Sequence, residues 1–132
     1  MDRGLILETT FLVDLEREAG RKEPGRAHAF LDIEPDARLY ITLTMAGELA
    51  GGPRVNERGV WDRLLRRFEV LVPDREVAWR YGRTFRYLRD QGHLIGTNDL
   101  WIAATALIHE MPLVTRNAVE FRRVPELDVR SY

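Results

Sequence analysis

The stretch Thr97–Phe121, TNDLWIAATALIHEMPLVTRNAVEF, governs the reading of the whole chain. An acid, Asp99, opens an Ala-rich helical run. After Pro112 comes a short apolar strand, Leu113-Val114, which ends at Thr115-Arg116-Asn117, with Glu120 one helical turn further on. A helix start and a strand end that lie close in space gather Asp99, Asn117 and Glu120 around one point. Outward from this stretch, the N-terminus repeats the strand-then-acid pattern in Leu5-Ile6-Leu7-Glu8, which brings another carboxylate to the same edge. Clustered carboxylates are costly unless a cation neutralises them, so a divalent metal site is the first expectation.

The remaining elements follow from hydrophobic periodicity and breakers. Residues 4–7 read as a buried strand, and 9–18 as a helix with Phe11, Leu12 and Leu15 on one face. After the charged turn 20–24, a short helix covers 25–32, with Ala27, Phe30 and Leu31 inward. The β-branched and aromatic run 39–43 is a strand. Thr44 is expected to cap the next helix, whose interior holds Glu48 and which Gly51-Gly52-Pro53 stops. A helix is predicted over 56–68, with Val60, Leu64, Leu65 and Phe68 as its buried stripe, and a strand over 69–72. The longest helix runs 74–91, with Val77, Tyr81, Phe85 and Leu88 inward and Gly92 ending it. Thr97 or Asn98 is expected to cap a helix over 99–110. One helical turn at 117–121 and a strand at 127–129 complete the chain. Helices alternating with short apolar strands predict an α/β protein with a parallel sheet covered on both faces. Sites in such sheets form at the carboxyl ends of strands.

The 132 residues fit one domain, 1–132, with 45% apolar and 31% charged residues. The absence of cysteine removes disulfides, thiolate metal sites and Cys nucleophiles. Acids interrupt the N-terminal apolar run early, unlike a signal peptide, and no apolar run approaches the roughly 20 residues of a membrane span. No membrane association is expected, and a cytoplasmic location is. The net charge of −1, from 20 basic and 21 acidic residues, excludes a grip on nucleic acid through bulk charge. Lys22 is the only lysine, however, and local Arg clusters suit phosphate.

Glu8, Glu48, Asp99, Asn117 and Glu120 each have an ordinary alternative role. Glu8 and Asp99 can serve helix N-termini, Glu48 and Glu120 can be solvated, and Asn117 can be a turn residue. The signal lies in their combination and order. His28, His93 and His109 have no zinc spacing, and neither a GxSxG elbow nor a phosphate-binding Gly-rich loop is present. Trp61, Trp79 and Trp101 fall on helices and read as core or interface.

The segment DLWIAATALIHEMPLVTRNAVEF, followed by RRVPELDV, resembles the C-terminal half of PIN-domain ribonucleases, and most of all the VapC toxins of bacterial toxin–antitoxin pairs. LILETTFLVDLER resembles their opening strand–acid–helix motif, and ITLTMAGELAGG their central motif with its helical Glu. The resemblance implies a three-layer α/β/α sandwich with a central parallel sheet. It also implies a Mg²⁺- or Mn²⁺-dependent endoribonuclease acting on RNA, dimeric and inhibited by an antitoxin protein. By position, Glu8, Glu48 and Asp99 match the best-marked acidic sites, Asn117 the place of a frequent fourth acid, and Glu120 a further acidic position. Glu8, Glu48, Asp99 and Glu120 would hold metal, while Asn117 and Thr10 would orient water or a carboxylate. Arg116 is the nearest cation by sequence to offset repulsion of phosphate.

One position departs from the pattern: Glu8 stands where the family normally has Asp, moving the carboxylate out by on the order of 1.5 Å. Because Mg²⁺ demands near-octahedral geometry, Glu8→Asp is expected to raise cleavage if the longer arm is a defect. It is expected to lower cleavage if neighbours compensate for that arm. The geometry of Mg²⁺ favours the first outcome. The competing expectation is a weakened or inactive PIN-like module that binds RNA or an antitoxin without cutting.

Overall fold

Short apolar segments pair side by side in a five-stranded, all-parallel sheet of order β3-β2-β1-β4-β5. The computed structural model describes residues 4–132. The strands are β1 Gly4–Leu7, β2 Arg38–Thr42, β3 Glu69–Leu71, β4 Leu113–Val114 and β5 Val129–Arg130. The helices are α1 Thr9–Glu18, α2 Arg26–Ile33, α3 Leu43–Ala50, α4 Arg58–Leu65, α5 Arg75–Asp90, α6 Thr97–His109 and α7 Ala118–Phe121. Helices cover both faces, giving the expected three-layer α/β/α architecture. Leu5, Ile6, Leu7, Ile41, Leu113 and Val114 are all at most 2% exposed, as strands buried on both faces require. Among the described residues no helix is long and apolar enough to cross a membrane.

The strand order reverses at β1. From there the chain moves to β2 and β3 on one side and later to β4 and β5 on the other. Such a reversal opens a crevice at the carboxyl ends of the strands. Leu7 is in register with Val114, and the Glu8 N–H donates to the Val114 carbonyl at 2.9 Å, so the ends of β1 and β4 lie together. α6 runs back across the sheet before β4, and its first turn therefore returns to this same edge.

Several local expectations are corrected. Thr42, not Thr44, caps α3, its hydroxyl accepting the Met45 N–H at 3.3 Å. Gly96 is the N-cap of α6, and neither Thr97 nor Asn98 caps it, since both already lie within the helix. The final strand lies at 129–130, two residues beyond the expected start. On α5, Thr84 rather than Phe85 turns inward beside Val77 and Leu88, because 77, 84 and 88 share one stripe. α4 is shorter than predicted and buries no residue completely, so its apolar stripe is only half covered. Gly92, with φ of +70°, ends α5 as expected.

α2 is tied to α1 by one buried acid. Glu18 accepts the backbone N–H groups of Ala27 and His28, each at 3.0 Å, and lies 2.9 Å from the Nδ1 of His28. A Cβ at Gly25 would collide with this carboxyl group, so any larger residue there would push Glu18 off its backbone donors. Burial alone would raise the pKa of Glu18, but the backbone and imidazole donors of His28, with the Ala27 N–H, hold it down to about 2. An acid depressed in this way stabilises the fold above the ordinary glutamate range, and that contribution is lost as pH falls toward about 2. Gln at this position offers one acceptor oxygen where two backbone donors must be met. Glu18→Gln is therefore expected to cost on the order of 2 kcal/mol at neutral pH. Chemical denaturation of both forms should show that difference shrinking below the ordinary glutamate range; a constant difference down to acid pH would remove the ionised carboxylate as its source.

Candidate active site

Each acid reaches the crevice for a local reason. Glu8 is the first residue after β1 and the N-cap of α1, buried at 4% exposure. Among the described residues, the side chains that bond it both donate to Oε1: the Thr10 hydroxyl at 2.7 Å and the Thr115 hydroxyl at 2.6 Å. Glu48 projects from α3, with Oε1 accepting the Thr9 hydroxyl at 3.0 Å. Asp99 lies in the first turn of α6, and Glu120 in α7 just past β4.

Asp99 records how close these groups are. Burial first, then the charges of Glu8, Glu48 and Glu120, push its pKa from the ordinary aspartate range up to about 6. Four carboxylates from separate elements therefore share one field at the carboxyl edge of the sheet. Asn117 caps α7 and donates its backbone N–H to the Thr115 hydroxyl at 2.9 Å, while its side chain makes no capping bond. Thr10 is a junction, donating to Glu8 and accepting the Arg116 N–H at 3.0 Å.

The donors gathered here are hard carboxylate oxygens without thiolate or imidazole, the set that suits Mg²⁺ or Mn²⁺. Among the described residues no three acidic or histidine side chains close into a ready-made metal cage. Mg²⁺ commonly takes one or two carboxylates directly and keeps several waters, so an open acidic crevice matches its habits.

Sequence reasoning missed three groups. Thr115 and Thr9 fix Glu8 and Glu48, and the adjacency of β1 and β4 that makes Thr115 important is a fact of topology. The third is a latch beside the crevice: Asp14 Oδ1 accepts Arg116 Nη1 at 2.8 Å, and Asp14 Oδ2 accepts the Tyr132 hydroxyl. The Tyr132 ring meets Phe11 edge-on, with centroids 4.7 Å apart. Burial and the neighbouring Asp14 carboxylate raise the pKa of the Tyr132 hydroxyl, keeping it a donor.

Known proteins share this sequence and fold. The PIN domain family model matches residues 5–127. Ribonuclease VapC1 of Haemophilus influenzae is 32% identical over 132 residues, covering 96% of each chain. Ribonuclease VapC1 of Methanocaldococcus jannaschii is 37% identical over 128 residues, covering 97% of this chain and 86% of that one. Among solved structures, VapBC-1 from nontypeable Haemophilus influenzae matches with a TM-score of 0.80 at 27% identity, covering 97% of both chains. With a family match over nearly its whole length and relatives of this identity, the chain belongs to the PIN domain family and, within it, to the VapC group.

Proposed function

We propose that the chain is a metal-dependent endoribonuclease and the toxin of a toxin–antitoxin pair. The observation that carries this reading is the gathering of Glu8, Glu48, Asp99 and Glu120 from four separate elements at the carboxyl edge of the sheet, with burial and the three neighbouring carboxylates raising Asp99 to about 6. Such repulsion is maintained at a cost unless something positive enters. Glu8, Glu48, Asp99 and Glu120 would hold Mg²⁺ or Mn²⁺. When bound, the ion supplies an activated water and neutralises charge developing on the phosphate during in-line displacement. Thr10 and Thr115 keep Oε1 of Glu8 occupied and fix the carboxylate in place. Thr9 does the same for Glu48. Asn117 would orient water or a carboxylate. RNA with a splayed, single-stranded backbone suits such a crevice, with cleavage leaving a 5′-phosphate and a 3′-hydroxyl.

Asp99→Asn is expected to abolish cleavage of a fluorogenic RNA in Mn²⁺ while the fold persists. Without metal, an acid raised above its unfolded value costs stability that sets in as pH climbs past the ordinary aspartate range and is complete above about 6. The variant should therefore melt higher than wild type at pH 8 in EDTA, with the gap closing in acid. Metal should stabilise wild type, by about 2.7 kcal/mol at about 100 times Kd, and the variant much less. Full cleavage by Asp99→Asn, or wild-type melts indifferent to millimolar Mn²⁺, would defeat the metal reading.

Glu8 carries the distinctive chemistry of this chain. The two hydroxyl bonds to Oε1 support compensation over the defect favoured from sequence, since a side chain one methylene shorter falls away from both donors. Glu8→Asp is therefore expected to lower kcat/KM by about tenfold, equivalent to about 1.4 kcal/mol. An increase would restore the defect reading. Wild type that binds RNA but cuts none with any divalent ion would favour the non-catalytic module.

The half-covered α4 and the outward Ile33 of α2 leave apolar surface of the kind an amphipathic antitoxin helix can occupy. Leu43, Val72 and Trp79, each more than two-fifths exposed, offer surface for a second copy. Light scattering of the isolated chain should report a homodimer at high micromolar concentration; a strict monomer would count against it.

A further inference from the structure

An acidic crevice repels the polyanion it is proposed to cut, so cations must stand beside it. A cavity of about 320 Å³ on its flank offers them. It opens between the second half of α1, the first turn of α2 and the segment after β4, and Arg17, Arg21, Arg26 and Arg116 line it. The two acids in its wall already have partners, and one of those partners, Arg116, belongs to the cavity itself. Asp14 takes Arg116 and Tyr132, and Glu18 takes the start of α2. Among the described residues no carboxylate pairs with Arg17, Arg21 or Arg26. Guanidinium forks bind phosphate oxygens bidentately, and three forks without an ion-pair partner around one cavity are placed to receive an anion.

The cavity adjoins the acidic site through Arg116. The Arg116 N–H donates to Thr10 Oγ1 at 3.0 Å, and Thr10 donates to Glu8 at 2.7 Å, so one piece of backbone forms part of both walls. α1 rises about 1.5 Å per residue, which sets Arg17 roughly 10 Å along the helix from Thr10. That is too far to serve the phosphate at Glu8 and suits a neighbouring one on the same strand.

We propose that this cavity is a phosphate-binding subsite for the RNA strand whose scissile bond lies in the acidic crevice. Arg116 stands nearest the cut, held by Asp14, and Arg17, Arg21 and Arg26 take a flanking phosphodiester. The inference rests on the ribonuclease reading. An acidic protein segment would meet the same cations, but the link through Arg116 and Thr10 favours the substrate strand.

The test uses the full chain and a fluorescent single-stranded RNA oligonucleotide, with binding followed by anisotropy in EDTA across a salt series. Arg17→Gln/Arg21→Gln and Arg26→Gln are compared with Arg83→Gln/Arg86→Gln, two exposed positions on α5. The cavity variants should weaken binding by about fivefold or more and flatten the plot of log Kd against log salt by about 0.7 for each phosphate no longer neutralised. The α5 control should change affinity by less than about twofold. In Mn²⁺ the cavity variants should raise KM by the same factor with kcat nearly unchanged, the signature of uniform binding away from the reacting atoms. Cavity variants that bind and cut like wild type overturn the subsite and leave the nuclease reading intact. A fall in kcat at constant KM also overturns it, because the arginines would then be serving the crevice. Unchanged RNA affinity with abolished binding of an oligoglutamate peptide would reassign the cavity to a protein. Weakened RNA binding by the variants, in a wild type that never cuts, would keep the subsite and defeat the nuclease reading. Wild type that binds no RNA in EDTA defeats the subsite, and wild type that also cuts none in Mn²⁺ defeats both.

Discussion

The buried Glu8 carboxylate is the joint on which sheet and crevice both turn. It leaves the end of β1, the central strand, and is fastened by hydroxyls from Thr10 on α1 and Thr115 beyond β4. A charge at 4% exposure needs such donors, and their arrival requires β1 and β4 to be paired in register. The arrangement that satisfies one acid then forces others close. α3 brings Glu48, α6 returns Asp99, and α7 adds Glu120, until Asp99 no longer behaves as an ordinary aspartate. The fold thus spends stability at one edge, and the apolar strands Leu5–Leu7 and Leu113–Val114 secure it behind that edge.

Much of this is readable from residues alone. Strands and helices announce themselves where periodicity is strong, as in 4–7, 9–18 and 113–114, because burial on both faces leaves continuous apolar runs. The acids Glu8, Glu48, Asp99 and Glu120 stand out by their placement after strands or in helix turns, and the structure draws them into one field. What stays hidden depends on neighbours distant in sequence. Thr115 is an ordinary threonine until Val114 pairs with Leu7. Thr42 outcompetes Thr44 as a cap because β2 ends one residue earlier than its β-branched run suggests. α4 looks like a core helix by spacing, yet the sheet leaves it no complete cover.

The charge distribution has a similar logic. A net charge of −1 argues against a nucleic-acid binder only if charges are spread evenly. Here acids converge on one edge while arginines gather around the α1–α2 corner next to it. Opposite fields side by side orient a polyanion without gripping it everywhere. Asp14 mediates between them: shared by Arg116 and Tyr132, it keeps one guanidinium at the boundary.

The pairing of β1 with β4 also has a consequence in time. Glu8 and the Thr115 that fastens it are separated by 107 positions. A chain synthesised from its N-terminus exposes α1, β2 and α3 long before β4 exists, and domains form as the chain emerges. Until β4 has left the ribosome, the central strand lacks one neighbour and the crevice one wall. A chain broken off before Thr115 therefore carries Glu8, Glu48 and Asp99 without the scaffold that sets them against one another. Whatever chemistry the crevice performs waits on β4 and Thr115, which leave the ribosome long after Glu8 and Glu48.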